Sequence, residues 1–286
     1  MTAMLKRNLK LYFRDRTSVF FSLLSVFIIV GLYALFLGDV MVRGTSFAGA
    51  QGVKWMMDSW LMAGVLATSA VTTALGALGT MVEDKSHKID MDFVTSPIKR
   101  SEITGAYVLG GLCVSLIMTC LAGLAATFYI LVRGGELMSF VRLAQVLGIV
   151  VLSAFSGTAL VLFMVSFVQT SNAFSVVSTL IGTLIGFLAG IYMPIGQLPR
   201  AMQTVISFVP TAHSAALLRQ TMMAEPMQRV FSLAPPDMIL SFRKMMGVDL
   251  YFGNTIMSPA FHYLVLAGTG IVLFALSTLN LRRKKR

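Results

Sequence analysis

The chain has 286 residues, 56% hydrophobic and only 12% charged, with a net charge of +11 and a mean hydropathy of +0.81. A soluble globular domain carries about 25% charged residues, so the composition excludes one and points to an integral membrane protein. The positive excess follows the bias of Lys and Arg toward cytoplasmic loops, and no nucleic-acid partner is expected from it.

Residues 1–16 open the chain with Leu5, Leu9, Tyr12 and Phe13 on one helical face and Lys6, Arg7, Lys10 and Arg14 on the other. That pattern reads as an amphipathic helix lying at the interface, its basic side toward lipid headgroups. It does not read as a signal peptide, because the apolar stretch that follows is too long and lacks a small-residue cleavage site. The first span is expected over Val19–Leu37, followed by a short external loop from Gly38 to Asp58. A second span is expected over Ser59–Val82.

The segment from Glu83 to Arg100 is the most charged internal stretch, set between two long uncharged runs. Each run exceeds the about 20 apolar residues that cross a bilayer, so the segment reads as a cytoplasmic connector for a soluble partner to grip. Pro97 disfavours helix at Ser96, which predicts a short helix from Glu83 to about Val94. Ile89 and Phe93 form its apolar edge, while Lys85, Lys88, Asp90 and Asp92 supply polar contacts.

The third span is expected over Ala106–Val132, ending at a polar turn around Arg133 to Glu136. Cys113 and Cys120 lie in it, seven residues or about 10 Å apart, too far for a disulfide. They read as small packing residues. No charged residue occurs between Arg142 and Arg200, and a polar turn at Gln169–Asn172 divides that run into a fourth span, Ala144–Val168, and a fifth, Phe174–Met193. Gly182, Gly186 and Gly190 recur every four residues in the fifth, a stripe for close helix approach within the bundle or at a subunit interface. Gly76 and Gly79 give a weaker signal in the second.

Residues 194–260 form the one large external piece. Met202, Val205, Ile206 and Val209 repeat at helical spacing between Pro199 and Pro210. Thr211 is expected to cap a second short helix through Arg219. Asp237 to Met246, closed by Gly247, reads as a third. Such helices either dip into the outer leaflet over an exit path or cover the bundle. The last span, Phe261–Leu279, runs into the basic cluster Arg282–Arg286. With both termini inside, Lys6, Arg7, Lys10, Arg14, Arg16, Lys85, Lys88, Lys99, Arg100 and the terminal five place 14 of the 23 basic residues on the inner side. The fold expected is an all-α polytopic membrane protein of one domain over residues 1–286, with six transmembrane helices and both termini cytoplasmic.

No phosphate-binding Gly-x-x-x-x-Gly-Lys-Ser/Thr loop occurs, so any ATP is bound by another chain. No metal-ligand spacing occurs either. The expected span interiors hold no charged residue, which argues against a proton-coupled carrier. Ser156 and His262 are the nearest approach to an intramembrane serine protease. They belong at different depths, out of the hydrogen-bond reach that a nucleophile and its base require. His87 and His213 read as solvated surface residues.

Three features together resemble the membrane permeases of type-2 ABC exporters. They are the basic helix before the first span, the Phe93-Val-Thr-Ser-Pro-Ile-Lys-Arg100 run, and the order Gly190, Pro194, Leu198-Pro199, Pro210 and Arg219 between the last two spans. The chain departs from the family pattern at Lys85-Ser-His-Lys88, where many members have Arg-Glu-x-Gly-Thr, and at Val209, where Asn is usual. The resemblance implies a permease in a bacterial cell membrane that exports an apolar or amphipathic substrate such as a drug, antibiotic, peptide or lipid-like molecule. It implies partner ABC ATPase subunits that bind ATP and Mg, and a second permease subunit, identical or paralogous. It also implies a coupling helix within Glu83–Pro97, with Lys85, Lys88, Ile89, Asp90, Asp92, Phe93, Pro97 and Arg100 at the ATPase contact. The alternatives are a membrane scaffold or sensor, and an ion-coupled carrier.

Overall fold

The computed structural model describes residues 1–33, 35, 50–89, 91, 93 and 100–283. Two helices open the chain, α1 (Thr2–Arg14) and α2 (Arg16–Leu32), and four long ones follow: α3 (Val53–Ser86), α4 (Arg100–Val132), α5 (Phe140–Val165) and α6 (Ser171–Leu188). A 3-10 turn at Ile195–Gln197 leads to four short helices, α7 (Arg200–Ile206), α8 (Pro210–Met222), α9 (Ala224–Val230) and α10 (Pro236–Met245). A two-residue-strand hairpin pairs Tyr251 with Ile256 and Phe252 with Thr255, and α11 (Pro259–Arg283) completes the described chain. Among the described residues, five helices are long and apolar enough to cross a membrane: α3, α4, α5, α6 and α11. The chain is an all-α polytopic membrane protein, with that hairpin as a minor addition.

α3 is the axis of the bundle. Its apolar window is 89% buried, against 17% for α6 and 22% for α11, and α4, α5, α6 and α8 all pack on it. Small residues bring the helices close. A Cβ on Gly157 of α5 would lie 3.2 Å from the Ala70 carbonyl, and Ser115 of α4 donates to that same carbonyl at 2.7 Å. The hydroxyls of Thr68, Ser69, Thr72, Thr73 and Thr80 bond to carbonyls three or four residues back along α3. The helix thus satisfies its own polar side chains within the bundle.

Boundaries shift where end chemistry overrides hydropathy. The second expected span begins at Ser59, but α3 begins at Val53 after Gly52, whose φ is +93°. Asp58 therefore lies inside the helix, just ahead of the expected span, and is buried. Arg133 at the end of α4 lies 3.5 Å from it. The fifth span is shorter than expected: α6 stops at Leu188 and the chain turns at Gly190, φ +66°. Thr211 does not cap α8. Val209 is the N-cap, without a side-chain bond, and Pro210 takes the first turn, where its missing N–H costs nothing.

Candidate functional site

Three helices meet at the connector end of α3. α1 crosses there against α4 and α3, seated by two glycines. A Cβ on Gly110 would come 3.3 Å from Asn8, and one on Gly76 would come 3.4 Å from Tyr12. Met4 enters the core formed by Leu75, Leu78, Val82 and Ile103, and Tyr12 packs with Ala77, Val114 and Met118. The Tyr12 hydroxyl reaches Ser22 of α2 at 3.1 Å, tying the first two helices together.

The polar centre of this junction is Asp84, buried on α3. Arg7 of α1 grips it with two hydrogen bonds of 2.7 and 2.9 Å, and the Tyr107 hydroxyl of α4 donates to it at 2.5 Å. A bidentate guanidinium–carboxylate pair is among the stronger charge-assisted contacts. The hydrogen bonds to Asp84 push the Arg7 guanidinium above its ordinary pKa. The same guanidinium stacks over the Phe93 ring, 5.1 Å from its centroid. Arg7 therefore holds the end of α3 and the connector in one hand. A groove of about 440 Å³ opens beside it, with Arg7, Tyr12, Glu83, Asp84, His87 and Ile89 in its wall.

The connector differs from the helix expected over Glu83–Val94. α3 continues through Ser86, the chain breaks at His87, and Lys88 takes the left-handed region at φ +61°, after which residues 89, 91 and 93 are again helical. Glu83 to Ser86 thus belong to the long helix, and the separate turn starts beyond Lys88. Of the residues expected at a partner contact, Lys88 and Ile89 are exposed, Lys85 is half-buried, and Phe93 is half-buried against the core that contains Met4. Arg100 starts α4. Asp90, Asp92 and Pro97 lie outside the described residues. Sequence reading missed Arg7 and Asp84, which are 77 residues apart, and no local spacing marks them.

At the other end of α3 the segment of short helices is latched by Arg219. Its side chain is fully buried, donates to the carbonyls of Ala189 (2.8 Å), Gly190 (3.0 Å) and Gly247 (3.3 Å), and stacks on Trp60 at 4.6 Å. Trp60 donates to the Met246 carbonyl at 2.7 Å. Gly190 therefore serves a turn rather than a helical stripe. A Cβ on Gly182 would meet open space, and Gly186 faces Tyr192. His213 is buried instead of solvated. Its Nδ1 lies 2.7 Å from Nδ1 of His262 and its Nε2 lies 2.8 Å from the Ser207 carbonyl. Ser156 pairs with Thr269 at 3.3 Å, so the serine and His262 have separate partners, as their depths implied. Among the described residues no His, Cys, Asp or Glu cluster fits a metal.

Residues 1–223 match the family model described as ABC-2 type transporter. The chain belongs to that family. An ABC-2 chain is the membrane subunit of an ABC transporter, multi-pass and associated with ABC ATPase subunits. The chain is also similar to Nodulation protein J of Rhizobium leguminosarum bv. viciae, 26% identical over 193 residues that cover 65% of this chain and 70% of that protein. Nodulation protein J of Rhizobium meliloti (strain 1021) is 26% identical over 190 residues, 65% of this chain and 69% of that one. The Sinorhizobium fredii protein of the same name is 27% identical over 191 residues, covering 64% and 68%.

Proposed function

We propose that the chain is the permease of an ATP-driven exporter, with six spans, both termini cytoplasmic and α1 lying in the inner interface. ATP is hydrolysed by separate ABC subunits that grip the 83–100 segment. Two permease copies, or this chain and a paralogue, form the path. The cargo is apolar or amphipathic, and the short helices of residues 194–260 stand on the external side.

The observation that carries this reading is the Arg7 junction. A partner that pushes on Ile89 and Phe93 meets a ring stacked under Arg7, and Arg7 is hydrogen-bonded to the end of the central helix. Force on the connector is thereby delivered through the Arg7 guanidinium both to α3 and to the interfacial helix.

The test has two parts. Tagged permease is solubilised from native membranes and the proteins recovered with it are identified. An ATPase with a phosphate-binding loop is expected with the native chain and is expected to be lost from an Ile89→Asp, Phe93→Asp variant. In Phe93→Ala, which deletes the ring and leaves the spans intact, ATP hydrolysis should continue while transport falls. Normal cargo-stimulated turnover in that variant sinks the coupling role. Absence of any ATPase under mild extraction favours a scaffold or a stand-alone carrier.

A further inference from the structure

Two of the chain's three histidines are buried against each other where the short helices meet the last long one. His213 stands in the first turn of α8 and His262 in the first turn of α11, and neither has exposed surface. Their rings are tilted by 58°, with the two Nδ1 atoms 2.7 Å apart. The other nitrogen of His213, Nε2, lies 2.8 Å from the Ser207 carbonyl at the end of α7. Nε2 of His262 is buried and meets no hydrogen-bonding group among the described residues. The pair thus ties α7, α8 and α11 together, and Ser214 beside it reaches Ser153 of α5 at 2.5 Å.

These contacts fix where the protons sit. A carbonyl only accepts, so Nε2 of His213 carries a hydrogen. Nδ1 of a neutral His213 is then a lone pair, and the hydrogen between the rings belongs to Nδ1 of His262. Nε2 of His262 is therefore bare. A further proton enters either there or at His213 Nδ1, and in the second case the hydrogen of His262 moves from Nδ1 to Nε2. By both routes an N–H ends at His262 Nε2, where it faces no acceptor. A buried cation with an unanswered donor is unfavourable, so the closed pair accommodates neutral rings.

The surroundings supply no free anion to offset a charge. Asp249 is the carboxylate whose field reaches His262, and Arg243 already grips it with two bonds of 2.6 Å, with Gln220 at 3.2 Å. At this end of the bundle α3 brings Lys54 and Asp58, the latter paired to Arg133. α5, α7 and α8 bring the cations Arg142, Arg200 and Arg219, and Tyr263 next to His262 is exposed. Burial pushes the His213 imidazole below the ordinary histidine value of about 6.5.

We propose that the His213–His262 pair is an acid-sensitive clasp that holds the end of α7 and the start of α8 on the last helix. Closed, both rings are neutral. Opened to water, each regains an ordinary affinity for protons, so opening takes protons up once the pH is below about 6.5. Each proton taken up favours the open form by about tenfold per pH unit below that value, and above it the clasp is fully closed. In the orientation proposed above the pair lies on the external side, and external acid therefore loosens the cover formed by the short helices.

The test uses the full chain in lipid nanodiscs, with Cys113 and Cys120 replaced by Ala. The thiol of Ser207→Cys, buried at the clasp, is labelled with a methanethiosulfonate at pH 7.5 and 5.5. Dividing its rate by that of Leu233→Cys, a position 98% exposed, removes the reagent's own pH dependence. The ratio is expected to rise about tenfold at the lower pH when both histidines are present. With His262→Gln added it should be the same at both pH values, whatever its absolute level. Imidazole nitrogen NMR of the His87→Gln chain, which leaves only the pair, is expected to show one Nε2–H and one Nδ1–H tautomer at pH 7.5.

Two rings of the same tautomer break the proton assignment and overturn the proposal. A ratio that is flat with pH when both histidines are present overturns it too. An equal rise in the His262→Gln chain places the acid response elsewhere, with the same consequence. None of these readings needs an ATPase or a membrane orientation, so failure of the exporter proposal leaves them interpretable.

Discussion

Asp84 carries the most consequence for a single side chain. It is buried, while Arg7 keeps 30% of its side-chain surface. Exposed pairs contribute up to about 1 kcal/mol, and breaking a buried pair costs about 3–5 kcal/mol. Asp84→Asn, which keeps an acceptor for Tyr107 but loses the charge facing Arg7, is therefore expected to cost about 1–3 kcal/mol. Thermal unfolding in detergent of Arg7→Gln, Asp84→Asn and the double variant measures the coupling. If the two losses simply add, the pair contributes nothing of its own, and the junction rests on the packing of Met4 and Tyr12. Arg219 is the contrasting case, a fully buried cation that donates to the carbonyls of Ala189, Gly190 and Gly247. Ala189 and Gly190 lie at the C-terminal end of α6, and the carbonyls at a helix C-terminus carry partial negative charge that offsets part of the charge burial.

At the scale of elements, hydropathy located the long helices because membrane burial demands runs of apolar residues longer than any loop tolerates. It missed their ends. Lys54 and Asp58 precede the expected second span yet sit inside α3, because the helix extends past the hydrocarbon for as long as Trp55 and Asp58 find cover. No helix was expected at α9, where Pro226 stands in the first turn and no helical N–H bond is lost. The hairpin was not expected from the sequence, although Gly253-Asn254 between Tyr251-Phe252 and Thr255-Ile256 is a two-residue turn signal, with Gly253 at φ +62°. Phe93 was expected from its apolar spacing as a partner contact and lies under Arg7, whereas the Arg7–Asp84 pair was not read at all, being a contact between distant helices. The latch of the short helices also depends on an element-level fit. A Cβ on Gly64 of α3 would come 2.6 Å from the Ile191 side chain and 3.3 Å from an Arg219 nitrogen. Gly64→Ala is expected to cost about 1–3 kcal/mol through overpacking and to expose residues 194–258 to protease while α3 to α5 stay protected. Unchanged proteolysis there means that Ile191 moves aside and the latch tolerates the methyl.

At the scale of the whole molecule, the two ends of α3 are pinned in the same way, by a carboxylate paired to an arginine of another helix: Asp84 with Arg7, and Asp58 with Arg133. Between them α3 is closed in by its neighbours, while α6 and α11 present Val176, Leu180, Leu184, Leu264 and Ile271 outward. A rigid centre with apolar flanks suits a bundle that transmits displacement from one membrane face to the other. Such transmission requires the Arg7 junction and the Arg219 latch to lie on opposite sides of the membrane, and the distribution of basic residues gives the direction. A cysteine at His87, which is exposed beside the junction, should react with a membrane-impermeant maleimide only after cells are opened. A cysteine at Leu233, 98% exposed among the short helices, should react in intact cells. Reaction of both in intact cells, or the reverse order, would place the connector outside. The Arg7 junction would then have no cytoplasmic ATPase to meet, and the exporter reading would fail with it.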